Sequence, residues 1–384
     1  MLGTTMLGHD TALDEALKSL GLTHFMPPAP KPGGMIHVFQ MLEARARGRL
    51  AGLSDDYAAP GGVDFGFAEH REFNAFAQRS SRDVICIYSA TVRTMWSLCN
   101  AVMTIREVFP WIDDIDRLGE NSAPPPKGEL FFVREENHAS EEIEPIRRKL
   151  AAAIFDVAMD FALMHEVGHL WNGHVDLLHQ EGGPLPFPEM RLIEANGFNL
   201  AEAQALEFDA DSFAIQKVFA RAYRENQFKE FSEGLLKDHR LPLDGEHTAS
   251  WFFTWFAVYA FFRLFDEACA AANIEQRPQP PAALRQACLL STVAAVSARQ
   301  GWSSLAMPHW ATLATDAGLE AERAICRLRR SGVNANAFLA AWEGPAFDQI
   351  EIYLQTWDAL GPRLAPFKRG AMAAKSDAPP ALIS

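Results

Sequence analysis

The sequence predicts an α+β fold, mostly helical with a small sheet. Three observations carry this reading. Between proline-rich breaks, the chain from Glu141 onward is patterned as a succession of helices. One short segment, "DVICIYSA" (Asp83 to Ala90), is instead β-branched and aromatic, as strands are. Hydrophobic residues make up 48% of the 384, enough for a substantial core.

The elements follow in order. Residues 1–70 carry no motif and are read as an N-terminal extension or cap. The strand at Asp83–Ala90 follows a turn-like "QRSSR". "NSAPPPKGE" (Asn121 to Glu129) breaks the chain. Glu141 to Leu178 reads as one long helix or two in line. Glu141, Glu142 and Glu144 suit the positive end of a helix dipole, and Pro145 is tolerated in a first turn. Ala151 to Met164 is apolar on nearly every face, which places this helix at the centre. "EGGPLPFPEM" (Glu181 to Met190) is a second break and "QRPQPP" (Gln276 to Pro281) a third. Further helices are expected at Leu200–Asn226, Thr248–Ala272, Pro281–Gln300, Leu319–Arg330 and Asp348–Leu360. "ASWFFTWFAVYAFFRLF" (Ala249 to Phe265) has an uninterrupted apolar run of about 14 residues, where a membrane helix needs roughly 20, so it is read as a buried core helix. The tail from about Pro366 is small, polar and proline-bearing, and is expected to be disordered. The expected division is therefore 1–70 cap, 71–300 main domain, 301–365 C-terminal helical region and 366–384 tail.

A formal charge of −14 argues against nucleic acid or an anionic membrane surface as the main partner. The N-terminus lacks a basic region followed by a long apolar stretch, so no signal peptide is expected. Five scattered cysteines without a CxxC pair read as reduced thiols in a cytoplasmic protein.

The chemistry concentrates in "FALMHEVGHLWNGH" (Phe161 to His174). His165 and His169 lie four apart, so on a helix they share one face, about 6 Å apart along the axis. Their imidazole nitrogens can converge on one ion, and zinc accepts neutral histidine at about 2.0 Å with four ligands in all. Glu166 would hold a zinc-bound water, take its proton and pass it to a leaving amine. The competing reading is a core helix with two satisfied histidines. Gly168, a weak helix former inside the motif, calls for a packing reason. The metzincin spacing would need glycine and histidine where Asn172 and Val175 stand, so a third ligand is sought elsewhere. "ALEFDADSFA" (Ala205 to Ala214) offers Glu207 as ligand. Asp211, one turn on, would accept from a ligating histidine and fix its tautomer. Asp209 is expected to project away into solvent, and Glu194 and Glu202 are weaker ligand candidates. A plain acidic helix face is the alternative for this trio. His174 would support the site, bind substrate or simply cap a helix end. Asp156 and Asp160, one turn apart, are expected to be paired or hydrated carboxylates.

With these motifs the chain resembles the gluzincin zinc metallopeptidases, and most of all the HtpX-type and CAAX-processing proteases. Four segments occur in that group's order: "FNAFAQRSSRDVICIYSATV" (Phe73 to Val92), "HEVGH" (His165 to His169), "EFDAD" (Glu207 to Asp211) and "QPPAALR" (Gln279 to Arg285). The resemblance implies a zincin-like metallopeptidase domain holding one Zn2+ through His165, His169 and Glu207, with Glu166 as catalytic base. It implies substrate backbone contacts from Asn74 and Ala75, and from a strand carrying Ile85 and Ile87 as the cleft edge that a peptide pairs with. Gln279 stands where the family has histidine. Arg285 keeps its place and would either stabilise an oxyanion, as His174 also could, or hold an acidic partner. The membrane helices of that group are missing, so a protein or peptide substrate is expected without membrane contact, with a regulatory partner through the terminal regions. Two other readings compete. One is a zinc-binding sensor or scaffold without turnover. The other is a di-iron carboxylate protein, from the Glu-x-x-His spacing of Glu135–His138 and Glu166–His169.

Overall fold

The computed structural model describes residues 11–26, 35–56, 62–79, 82–112, 144–180, 199–239, 245–268, 280–329, 331–333, 338–339 and 344–369. Helices α1 (Thr11–Ser19), α2 (Met35–Asp56) and α3 (Ser89–Met103) accompany strands β1 (Thr23–His24), β2 (Val63–Glu69), β3 (Ala75–Arg79) and β4 (Asp83–Tyr88). Then follow α4 (Pro145–Trp171), α5 (His174–Gln180), α6 (Leu200–Glu225), α7 (Ser232–His239), α8 (Thr248–Ala268), α9 (Ala282–Gln300), α10 (Met307–Leu328) and α11 (Gly344–Leu364). This is the mostly helical α+β fold with a small sheet.

The sheet order is β1-β2-β4-β3, with β2 and β4 parallel and the other two pairs antiparallel. Strand alternation splits its residues between two faces. Phe65, Phe67, Ala75, Ala77, Ile85 and Ile87 enter the main core with the long helices. Ala68, Phe76, Val84, Cys86 and Tyr88 pack on Leu13, Ala16 and Leu17 of α1. The expected strand is β4, but it is an interior strand. The edges are β1 and β3. The expectation that the strand of Ile85 and Ile87 forms the cleft edge is therefore corrected: β2 and β3 take both of its ladder sides, because a parallel partner, β2, comes from the segment read as a cap. The division at residue 70 falls between β2 and β3 of one sheet.

Helix α4 runs through the core against α3, α6 and α8. Helix α8 is buried all round, with Trp251 and Trp255 fully enclosed, as its apolar run requires. No helix among the described residues is long and apolar enough to cross a membrane. Helix α6 opens on a capping box, Asn199 with Glu202, and ends at Asn226 in the left-handed region. Helix α10 starts at Met307, well before the expected Leu319, since Pro308 fits a first turn. Its Trp310 and Leu313 join the main core, so the boundary at residue 300 does not separate two cores. Residues 366–369, expected to be disordered, are ordered against the end of α4: Arg369 N–H donates to the Trp171 carbonyl at 2.8 Å. Residues 370–384, Glu135, His138, Glu194, Gln279 and the three proline-rich breaks except Pro280 and Pro281 lie outside the described residues.

Candidate metal centre

The site forms where the C-terminal half of α4 crosses the N-terminal half of α6. Gly168 lets the two approach. A Cβ there would meet the Ala210 Cα at 3.0 Å, its carbonyl oxygen at 3.2 Å and the Phe213 Cβ at 3.3 Å. This is the packing reason the sequence called for: α6 must come close enough to bring Glu207 over the histidines.

His165 Nε2 and His169 Nε2 stand 3.0 Å apart. Glu207 places Oε2 3.4 Å from the first and Oε1 3.5 Å from the second. Ligand atoms around a tetrahedral zinc with bonds of 2.0–2.1 Å are separated by about 3.3–3.4 Å. The three groups are of the types that zinc takes, with both carboxylate distances near this spacing and the histidine pair closer, and among the described residues they are the group that could hold a metal. All three are buried. Burial first, then His165, His174 and Arg285 nearby, push the His169 imidazole well below its ordinary pKa, so it is neutral, the form that ligates.

The surroundings hold these ligands from behind. His165 Nδ1 is 2.9 Å from Asp211 Oδ1. Asp211 also accepts from Arg285, Nε to Oδ2 at 2.8 Å and Nη2 to Oδ1 at 2.7 Å. Burial raises the Asp211 pKa, but Arg285 and His165 outweigh it and hold the carboxyl below the ordinary range. Of the two roles set out for Arg285, the structure shows the acidic partner. Its guanidinium also lies over the Phe262 ring, 4.1 Å from the centroid. His169 Nδ1 is 3.0 Å from His174 Nδ1, and His174 Nε2 is 3.0 Å from Asp209 Oδ2. His174 thus lies behind His169, on the opposite side of the ring from Nε2. The expectation that Asp209 is solvated is corrected: it is buried, and Asn172 Nδ2 donates to it at 2.9 Å. Sequence reasoning missed it because two residues along a helix only say that Asp209 faces away from Glu207. What it faces is α5, which folds back after Gly173.

Glu166 is buried on α4, and its charge reaches Cys86 of β4. Burial pushes the Cys86 thiol up and the Glu166 charge adds to it. Asn74 bonds within the sheet and to α3. Its Oδ1 accepts from Ala75 N–H at 2.8 Å, while its carbonyl accepts from Thr91 Oγ1 at 2.7 Å and Tyr88 N–H at 3.0 Å. Glu202 serves the α6 cap and pairs with Arg363 at 2.6 Å. No family model matches the chain, and no curated protein or solved structure matches it.

Proposed function

We propose that the chain is a zinc-dependent metallopeptidase of the gluzincin kind. The observation that carries this is the convergence of His165 Nε2, His169 Nε2 and a Glu207 carboxylate within 3.0–3.5 Å, all three buried, directly beside the carboxylate of Glu166 in sequence. A zinc ion bound there supplies a Lewis acid and makes water acidic enough to be deprotonated near neutral pH. His165, His169 and Glu207 would hold it, and Asp211 keeps His165 turned with Nε2 inward. Glu166 takes a proton from the attacking water and returns it to the leaving amine nitrogen, so the carboxylate ends the cycle as it began. Extended-peptide pairing, which uses an open ladder, falls to the edge strand β3 that begins at Ala75.

One observation favours a second reading, a zinc-holding sensor or scaffold. His165, Glu166, His169 and Glu207 are each 3% exposed or less, which leaves little room for a substrate backbone. The test is zinc content per chain by mass spectrometry, beside a His169→Ala control, with hydrolysis of an unstructured protein such as casein measured in parallel. One zinc, lost in the control, with hydrolysis that Glu166→Gln abolishes while keeping zinc, is the expected result. Zinc without hydrolysis would shift the assignment to the sensor. A chain that takes up no zinc would sink both.

A further inference from the structure

The hydrogen bonds behind His169 have a direction. Asp209 is a carboxylate and only accepts, so the proton between it and His174 sits on Nε2 of His174. A neutral imidazole protonated at Nε2 has only a lone pair at Nδ1. The proton between the two Nδ1 atoms, 3.0 Å apart, therefore belongs to His169. That leaves the His169 lone pair on Nε2, facing Nε2 of His165 and Oε1 of Glu207. Asp211 does the same for His165 in one step rather than two.

His174 is held in this place by the far end of the chain. It begins α5, just after Gly173, whose φ is +86°. A Cβ at Gly173 would meet the Phe367 Cβ at 2.6 Å and its carbonyl carbon at 2.9 Å, so the turn is built against that segment. Phe367 packs into a small core with Leu177, Leu206 and Leu364. Arg369 donates its N–H to the last turn of α4, pairs with Asp176 of α5 at 2.7 Å and pairs with Asp83 of β4. One segment thus closes the end of the metal helix, pins α5 and ties both to the sheet.

We propose that His174 and Asp209 are positioning residues for His169, kept in register by a C-terminal strap, Pro366–Arg369, so that metal retention depends on a segment remote from the ligands in sequence. This rests on the metal-site reading of His165, His169 and Glu207. A purely structural strap would lower the melting temperature without touching the His169 tautomer, and this separates the two cases.

The experiment uses the full chain. Zinc affinity is measured by competition with a chromophoric chelator for Asp209→Asn, His174→Ala and Arg369→Ala. The tautomer of His169 is read by nitrogen–proton correlation NMR on the metal-free protein. We expect affinity to fall about 10–100-fold in Asp209→Asn and His174→Ala, and by a smaller factor in Arg369→Ala. Metal-free wild type should show His169 protonated at Nδ1, and Asp209→Asn and Arg369→Ala should each show a mixture; a wild-type tautomer in Arg369→Ala with only a lower melting temperature would overturn the strap. Asp209→Glu should recover part of the affinity. Unchanged affinity in Asp209→Asn, or an Nε2-protonated His169 in wild type, would overturn the proposal. Asp209→Asn is nearly isosteric and decides the matter if His174→Ala does not fold. Failure of wild type to bind zinc would overturn the metal reading itself, and the tautomer would still report whether the relay exists.

Discussion

The two halves of α4 bury charge in different ways against the same neighbour. In the stretch up to Asp160, Asp156 and Asp160 face Arg221 of α6, with Arg45 and Arg49 of α2 reaching in from the other side. Towards the C-terminal end, α4 carries His165 and His169 with Glu166 between them, and α6 sets Glu207 and Asp211 against the two histidines. Both clusters are buried by the same helix pair. They differ in what completes them. A guanidinium is charged at every ordinary pH, so the first cluster is electrically closed by its own arginines. An imidazole is charged only when protonated, and burial opposes that. The second cluster gathers carboxylates around histidines, of which His169 is held neutral chiefly by burial, and Arg285 pairs with Asp211. In the proposed function a divalent cation supplies there the charge that the arginines give the first cluster. Similar burial thus teaches nothing about function until the kind of cation is asked for.

Removing metal tests the contrast most strongly. Stripping zinc with a chelator should cost about 4 kcal/mol of unfolding free energy when free zinc had stood near a thousand times its Kd. Urea unfolding with and without chelator measures this, and an unchanged midpoint would mean that the second cluster is as complete as the first. Next in size, Arg221→Met should lower stability by about 3 kcal/mol, since it leaves Asp156 and Asp160 short of their shared buried partner. Zinc content should stay at the wild-type level. A parallel loss of zinc would show that the halves are coupled, and the comparison would fail. Gly168→Ala sharpens it further. The added Cβ presses on Ala210 of α6 at 3.0 Å, so Glu207 moves off the histidines. Zinc affinity should fall about tenfold, or about 1.4 kcal/mol, in a chelator competition. A gain in both stability and affinity, from the better helix propensity of alanine, would show that α6 yields without cost.

The smallest effect lies in pH. Burial pushes the Asp156 carboxyl up, against the pull of Arg221 and Arg45. Its unfolded value is near ~3.9. The folded value is the higher one, so the stability tied to its proton is fully present below the unfolded value and is lost as pH rises through the folded value. Asp156→Asn should remove that part of the slope of stability as pH rises above the unfolded value. A slope identical in wild type and variant would place the titrating group elsewhere.

Several of these features were legible before any coordinates. The helices at Leu200–Glu225, Thr248–Ala268 and Ala282–Gln300 start within a residue of where breaks and caps put them. Asp156 and Asp160 are paired, as two carboxylates on an apolar helix had to be. The strands β1, β2 and β3 and helices α1 to α3 were not legible. Gly66 interrupts the alternation of β2, and β4 runs into α3 at Ser89 with no break between them. The expected strand therefore ran on to Ala90, and its neighbours in the sheet stayed hidden. Proline and small residues near Pro366 suggested a loose tail, yet Phe367 and Arg369 are fastened by partners remote in sequence, among them Leu177, Asp176 and Asp83.

What the sequence determined by itself was the local part of the site. Residues four apart on a helix share a face, and this alone set His165 beside His169 and Glu207 in line with Asp211. Only the tertiary structure decided that α6 lies over α4 at Gly168, that Asp209 turns inward to His174, that β4 is interior and that the segment around Arg369 closes the end of α4. The reason is physical. Helical spacing is fixed by backbone hydrogen bonds a few residues long, whereas these contacts join segments whose meeting depends on how every apolar face is covered at once.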